Sequence, residues 1–282
     1  DNDDYFHVIS LEQMYNKSLE GGNAFNCAEK ISTGNRLPVI TSMPSGGFVV
    51  PISTPLELNG SATDEDGDPL TYVWEQFDLG PQSTLGSPIG TAPLFRSIYP
   101  GNNPTRFLPK KEDIIANRYN DKNEVLPAIS RPIKFRFTVR DNHPEGGGVV
   151  WDELSFSSTA SAGPFRITYP IIDERFRIGD EITVRWNVAN TDMPPVNCRN
   201  VNIFISLDGA LENGDPKLIP LAMNVPNNGA ARVVIPNVTS TRVRFVIKAA
   251  DNIFLHASVL NSIIEAPVKP TIYMEITDGD FR

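Results

Sequence analysis

Lys134-Phe135-Arg136-Phe137-Thr138-Val139-Arg140 is the stretch that decides the fold class, because cationic or hydroxyl side chains interleave with Phe135, Phe137 and Val139. Successive side chains leave an extended backbone on opposite sides, so a period of two predicts a β-strand with one face on a core and the other in water. Working outward, Leu70, Tyr72 and Trp74 share one face of a second alternating run while Thr71, Val73 and Glu75 share the other, which makes Trp74 a core residue of a sandwich. Strands are also predicted over 55–62, 70–78 and 149–158. In the second half, Ile182-Thr183-Val184-Arg185-Trp186-Asn187-Val188, Val201–Leu207, Ala230–Ile235 and Arg242–Ile247 carry the same signal. The 24 prolines and 20 glycines punctuate the chain at short intervals, which suits many short strands joined by turns.

The predicted fold class is all-β: two tandem immunoglobulin-like sandwiches, of the polycystic-kidney-disease or fibronectin kind, preceded by a short N-terminal helix. In the second half, seven or so short strands fit such a sandwich. Ser161-Ala162-Gly163-Pro164 is small and turn-prone and separates a first module, 37–161, from a second, 163–267, with 268–282 as a C-terminal extension. Each module has a Trp-bearing alternating strand, with Trp74 in one and Trp186 in the other, which suggests related architecture. Tyr5, Val8, Leu11 and Met14 or Tyr15 recur every three to four residues behind Asp3 and Asp4, predicting a helix over about 4–18 that lacks a packing partner of its own. The stretch 80–131 is too long for a sandwich connection and reads as an insertion with a short helix near Glu112–Tyr119. Its Phe95, Tyr99 and Phe107 either anchor it to a core or form a ligand platform.

Composition narrows the function classes. With 34 acidic and 25 basic residues the chain carries a formal charge of −9, which argues against binding the phosphate backbone of nucleic acids. No apolar run is long enough to span a membrane and no basic-then-apolar leader is present; the abrupt start reads as the trimmed end of a longer chain. Cys27 and Cys198 either pair over a long range or stay as buried thiols, and their spacing matches no metal motif. His7, His143 and His256 are scattered, no His-Glu-x-x-His helix occurs, and no Gly-x-Ser-x-Gly elbow is present, so no catalytic constellation is expected.

Asp64-Glu65-Asp66-Gly67-Asp68-Pro69 is the sharpest motif. Three aspartates at alternate positions around a glycine can converge oxygens on Ca²⁺, with Asp141 and Asn142 as further ligands. The competing reading is an acidic β-turn that needs no metal. An EF-hand is rejected, since Pro69 stands where that loop requires glycine and strand follows instead of helix.

Several segments together resemble the downstream half of secreted bacterial reprolysin-like zinc metallopeptidases. Asp3-Asp4-Tyr5-Phe6-His7 and Ser10-Leu11-Glu12-Gln13-Met14 are similar to the last helix of that family's catalytic domain, and Cys27 with Thr33-Gly34-Asn35 to the exit from it. Gly60–Asp64, Leu70–Gln76, Pro93–Ser97, Pro104–Arg106, Glu124–Pro127 and Phe137–Asn142 resemble its first accessory module; Trp186–Ala189, Pro195–Cys198 and Val225–Gly229 resemble its second. Family members often carry a cysteine where this chain has Val73. The resemblance implies that 1–36 is the tail of a missing catalytic domain and that Zn²⁺ would sit only in that domain. The chain itself would be a non-catalytic accessory region, secreted or at the cell surface, whose partners are its own upstream catalytic domain and an extracellular protein or glycan. The rival expectations are a stand-alone adhesin-like or glycan-binding protein with a Ca²⁺-dependent site, and a rigid spacer.

Overall fold

A helix, α1 (Val8–Ser18), precedes the first sandwich, which comprises β1 (Val39–Ser42), β2 (Val49–Pro51), β3 (Leu56–Leu58), β4 (Ser61–Thr63), β5 (Thr71–Gln76), β6 (Arg106–Leu108), α2 (Lys111–Ala116), β7 (Arg131–Arg140) and β8 (Val149–Thr159). The second contains β9 (Arg166–Tyr169), β10 (Arg175–Arg177), β11 (Glu181–Asn187), β12 (Asn200–Leu207), β13 (Leu218–Pro226), β14 (Ala230–Val234), β15 (Ser240–Ala249), β16 (Leu255–Ala257) and β17 (Ser262–Glu265). This computed structural model describes residues 5–18, 22, 24–27, 29, 31–171 and 173–267; Asp3, Asp4 and the 268–282 extension lie outside the described residues.

The two halves share one plan. In the first, a sheet runs β2-β8-β7-β5 and is antiparallel except where β2 joins β8 in parallel. The second runs β10-β17-β15-β12-β13, and again the first short strand joins the last in parallel, β10 beside β17. Facing sheets are β1-β4 and β3-β6 in the first half and β9-β11-β14 in the second. The fold is two tandem immunoglobulin-like sandwiches behind a short helix. Matching the strands corrects one expectation: Trp74 lies on β5, whose counterpart is β12, whereas Trp186 lies on β11 in the opposite sheet. The two tryptophans are therefore not equivalent, although the modules are.

Trp74 is a core residue, stacked on Phe137 at 4.5 Å, with its indole N–H donated to the Pro104 carbonyl at 2.9 Å. Gly60 separates β4 from β3 because a Cβ there would come within 2.6 Å of the Phe137 ring. The alternation of β7 holds, but its polar face is not in water: Arg136 and Thr138 are buried along with Phe135, Phe137 and Val139. What covers that face is α1.

The 80–131 insertion is not a free loop. Its Phe107 and α2 residue Ile114 pack with Phe204, Leu211, Leu218, Val246 and Leu255 of the second module. Asn117 donates its side-chain amide to the Ala257 and Ser258 carbonyls, and Lys111 pairs with Glu212 at 2.8 Å. Phe95 and Phe107 are anchors in the core, while Tyr99 is 66% exposed. Backbone bonds also cross between modules, from the Glu57 N–H to the Ile253 carbonyl at 2.7 Å and from the Leu255 N–H to the Pro55 carbonyl at 3.0 Å. One continuous apolar cluster runs from Trp74 and Phe137 through Leu56 and Phe254 to Phe245.

Candidate functional site

The acidic turn and the N-terminal segment meet at one corner of the first module. Asp64 Oδ1 accepts the backbone N–H groups of Asp66 and Asp68 at 2.9 and 3.1 Å, which curls the turn so that its carboxylates converge. One oxygen each from Asp64, Asp66 and Asp68 lies within 4.8 Å of the others. Asp66 is met by Arg36, which donates its backbone N–H at 2.7 Å and its guanidinium at 2.9 and 2.7 Å while also touching Glu65. Hydrogen bonding from Arg36 holds the Asp66 carboxyl below its usual range. Asp68 pairs with His143 Nδ1 at 2.9 Å, and this bond raises the imidazole's affinity for a proton.

The other two predicted ligands behave differently. Asp141 is fully buried and its carboxylate accepts the Gly148 N–H at 2.7 Å, the His143 N–H at 3.2 Å and the Asn35 amide at 2.8 Å, so it shapes the 141–148 turn and tethers residue 35. Asn142 donates to the Pro69 carbonyl at 2.7 Å and to Thr71, bracing the far side of the acidic turn. Asp141 does not belong to the convergent set of acidic groups. Two oxygens at this corner are buried without a hydrogen-bond partner among the described residues, Asp64 Oδ2 and Asn35 Oδ1. Asn35, held by Asp141 and the Gly146 carbonyl, is not a residue that the acidic sequence pattern singles out. The donor set consists of oxygens, which fits a hard cation such as Ca²⁺ and not a soft or imidazole-seeking metal.

Beside this corner, residues 5–18 are seated on the polar face of β5, β7 and β8. Glu75, 1% exposed, accepts the Val8 N–H at 3.2 Å and the Ser97 hydroxyl at 3.0 Å, and meets His7 Nδ1 at 3.1 Å and the Tyr5 hydroxyl at 3.4 Å. A carboxylate at the first turn of a helix satisfies free N–H groups and opposes the positive end of the helix dipole. Asp3 and Asp4, expected in that role, lie outside the described residues; Glu75 fills it from the sheet. Arg136 bridges Glu12 at 3.0 Å and Glu153 at 2.6 Å with its guanidinium over Phe77, 4.0 Å from the ring centre, and Tyr15 meets Trp151 edge-on. The helix thus has its packing partner in this chain.

The three histidines all serve the fold, since His7 faces Glu75, His143 faces Asp68, and His256 Nδ1 accepts the Ile167 N–H at 3.2 Å. Cys27 and Cys198 are both free thiols, the first exposed and the second buried, and burial pushes the Cys198 thiol up to about 12, which disfavours a nucleophilic thiolate. Among the described residues, no helix is long and apolar enough to cross a membrane.

No family model and no curated protein matches the chain. Solved structures resemble it in arrangement. The tandem Ig repeats of Dlar share 13% identity over 82% of this chain and 99% of that one, with a TM-score of 0.34. The N-terminal four Ig domains of Dscam1 isoform 6.44 share 14% over 84% of this chain and 54% of that one, with a TM-score of 0.25. The Bacteroides ovatus mixed-linkage glucan utilization locus protein SGBP-B, solved with a mixed-linkage heptasaccharide, shares 10% over 82% of this chain and 48% of that one, with a TM-score of 0.23. At such scores none of their ligands carries over.

Proposed function

We propose that this chain is the non-catalytic accessory region of an extracellular reprolysin-like zinc metallopeptidase, in which two fused sandwiches form a rigid platform for the segment that precedes them. The observation that supports it is the seating of residues 5–18 on Glu75 and Arg136. A buried carboxylate and a buried guanidinium are costly unless paired, and here each finds partners in the N-terminal segment. An accessory module that must position an upstream domain needs this kind of non-sliding attachment at the junction. Zinc chemistry would belong to the upstream domain alone, and the accessory region would be secreted or displayed at the surface with it.

The test is to read and express the coding sequence that precedes Asp1. A His-Glu-x-x-His helix with a third histidine downstream, together with zinc-dependent cleavage of casein by the longer protein and none by this chain, is the expected result. A secretion signal directly before Asp1 would overturn the assignment and leave a free-standing binding protein.

A second reading concerns the acidic corner, where we propose that Ca²⁺ binds between Asp64, Asp66 and Asp68 and displaces Arg36 from Asp66. The unpartnered Asp64 Oδ2 favours it, since a buried oxygen without a donor is costly and a cation removes that cost.

A further inference from the structure

A cleft of about 600 Å³ opens where the two modules join, between the end of β3 and the surface of β12 and β13. Its size falls within the range of about 300–1,000 Å³ typical of small-ligand sites. The floor is the ion pair of Glu57, from the first module, and Lys248, from the second, 2.7 Å apart with side chains 11% and 7% exposed. Lys248 is satisfied, donating also to the Leu211 carbonyl and to Asn213 Oδ1. Glu57 is not: its Oε1 is buried and has no hydrogen-bond partner among the described residues, and burial raises the carboxyl's affinity for a proton despite the nearby ammonium.

The walls carry the complementary groups. Asn59, Asn202 and Asn213 line the cleft, and each spends its side-chain oxygen within the protein, on Thr105, on the Asn224 N–H and on Lys248 respectively. Their amide N–H groups make no hydrogen bond to the described residues, which leaves outward donors around a single buried acceptor. Pro44, Pro220 and Met223 provide apolar surface at the rim, with Met223 54% exposed. A ligand that fits must accept from several neutral amides, donate to one buried carboxylate oxygen and present C–H surface between them. A hydroxyl both donates and accepts, and the ring of a neutral sugar offers hydroxyls at its edge and C–H groups on its faces. An anionic ligand would meet Glu57 and Asp215.

We propose that the intermodule cleft is a binding site for a neutral oligosaccharide, with Glu57 Oε1 accepting from a sugar hydroxyl and the amides of Asn59, Asn202 and Asn213 donating to others. It is independent of the acidic corner and of any upstream domain. The experiment uses the whole chain and titrates cellohexaose, xylohexaose, mannohexaose, laminarihexaose and chitohexaose by calorimetry and by amide NMR shifts. The expected result is binding of at least one sugar with a Kd of about 1 mM or tighter. Shifts should centre on residues 202, 213 and 248, and affinity should fall about tenfold or more in Asn202→Ala and Glu57→Gln. Met223→Trp, which fills the cleft from its exposed rim, separates loss of the site from loss of fold and should abolish binding at unchanged melting temperature. Binding by none of the five sugars, binding that survives Met223→Trp, or a cleft that responds only to peptides would overturn the proposal. Chelator should leave sugar affinity unchanged, and a requirement for Ca²⁺ would move the site away from this cleft.

Discussion

At the scale of single residues, Arg36 occupies the Asp66 carboxylate that the proposed Ca²⁺ site would use. If Ca²⁺ binds only the folded chain, it stabilises by about 2.7 kcal/mol at a hundredfold excess over its Kd. Melting temperature should therefore climb with millimolar Ca²⁺, lose that dependence in Asp66→Ala, and respond to less Ca²⁺ in Arg36→Ala, since the guanidinium no longer occupies Asp66. A flat melting curve in the parent chain and in Arg36→Ala would reduce the motif to a turn. His256 gives a separate prediction. Burial, assisted by Arg166, lowers its pKa to about 3, and its Nδ1 is committed as an acceptor for Ile167. The unfolded chain takes up this proton near pH 6.5 and the folded chain does not. The neutral ring's contribution is thus complete above pH 6.5 and is lost as pH falls toward 3, about 2 kcal/mol being gone by pH 5. Denaturant midpoints measured from pH 7 to pH 5 should fall in the parent and fall less in His256→Phe. The convergence of Asp64, Asp66 and Asp68 was legible from their spacing. The contacts of Arg36 and Asn35 were not, because Arg36 reaches Asp66 across 30 residues and Asn35 reaches Asp141 across 106.

At the scale of elements, α1 is held by the polar side of a sheet. The alternation of β7 was easy to read, and it predicted water on the Arg136 and Thr138 side; the helix that covers that face was legible as a helix but not as this sheet's cover. The reason is that Glu12 and Glu75 look like ordinary surface charges until Arg136 and the first turn of α1 are brought to them. Removing Glu75 takes this acceptor from the Val8 N–H and the Ser97 hydroxyl. A hydrogen bond to a charged group contributes about 1.5–3 kcal/mol, so Glu75→Ala should cost about 2–3 kcal/mol. It should also release residues 8–18 to fast hydrogen exchange, with β5 and β7 still protected. Unchanged protection of the helix would mean that Tyr15 on Trp151 and Glu12 on Arg136 suffice to hold it.

At the scale of the whole molecule, the 80–131 insertion turns two modules into one body. Long strands such as β5, β7, β8, β11, β12 and β15 could be read from alternation, since this is a local signal. The docking of α2 on the second module could not, because Ile114 and Phe107 find Phe204 and Leu255 only across about a hundred residues of chain. Truncating Ile114, fully buried in that junction, should cost about 2–5 kcal/mol and be felt in both modules. Differential scanning calorimetry of the intact chain, alongside Ile114→Ala, tests the rigid platform most directly. One transition with matching calorimetric and van't Hoff enthalpies, displaced as a whole to lower temperature by Ile114→Ala, is the predicted result. Two separate transitions in the parent chain, or an Ile114→Ala effect confined to one of them, would contradict it.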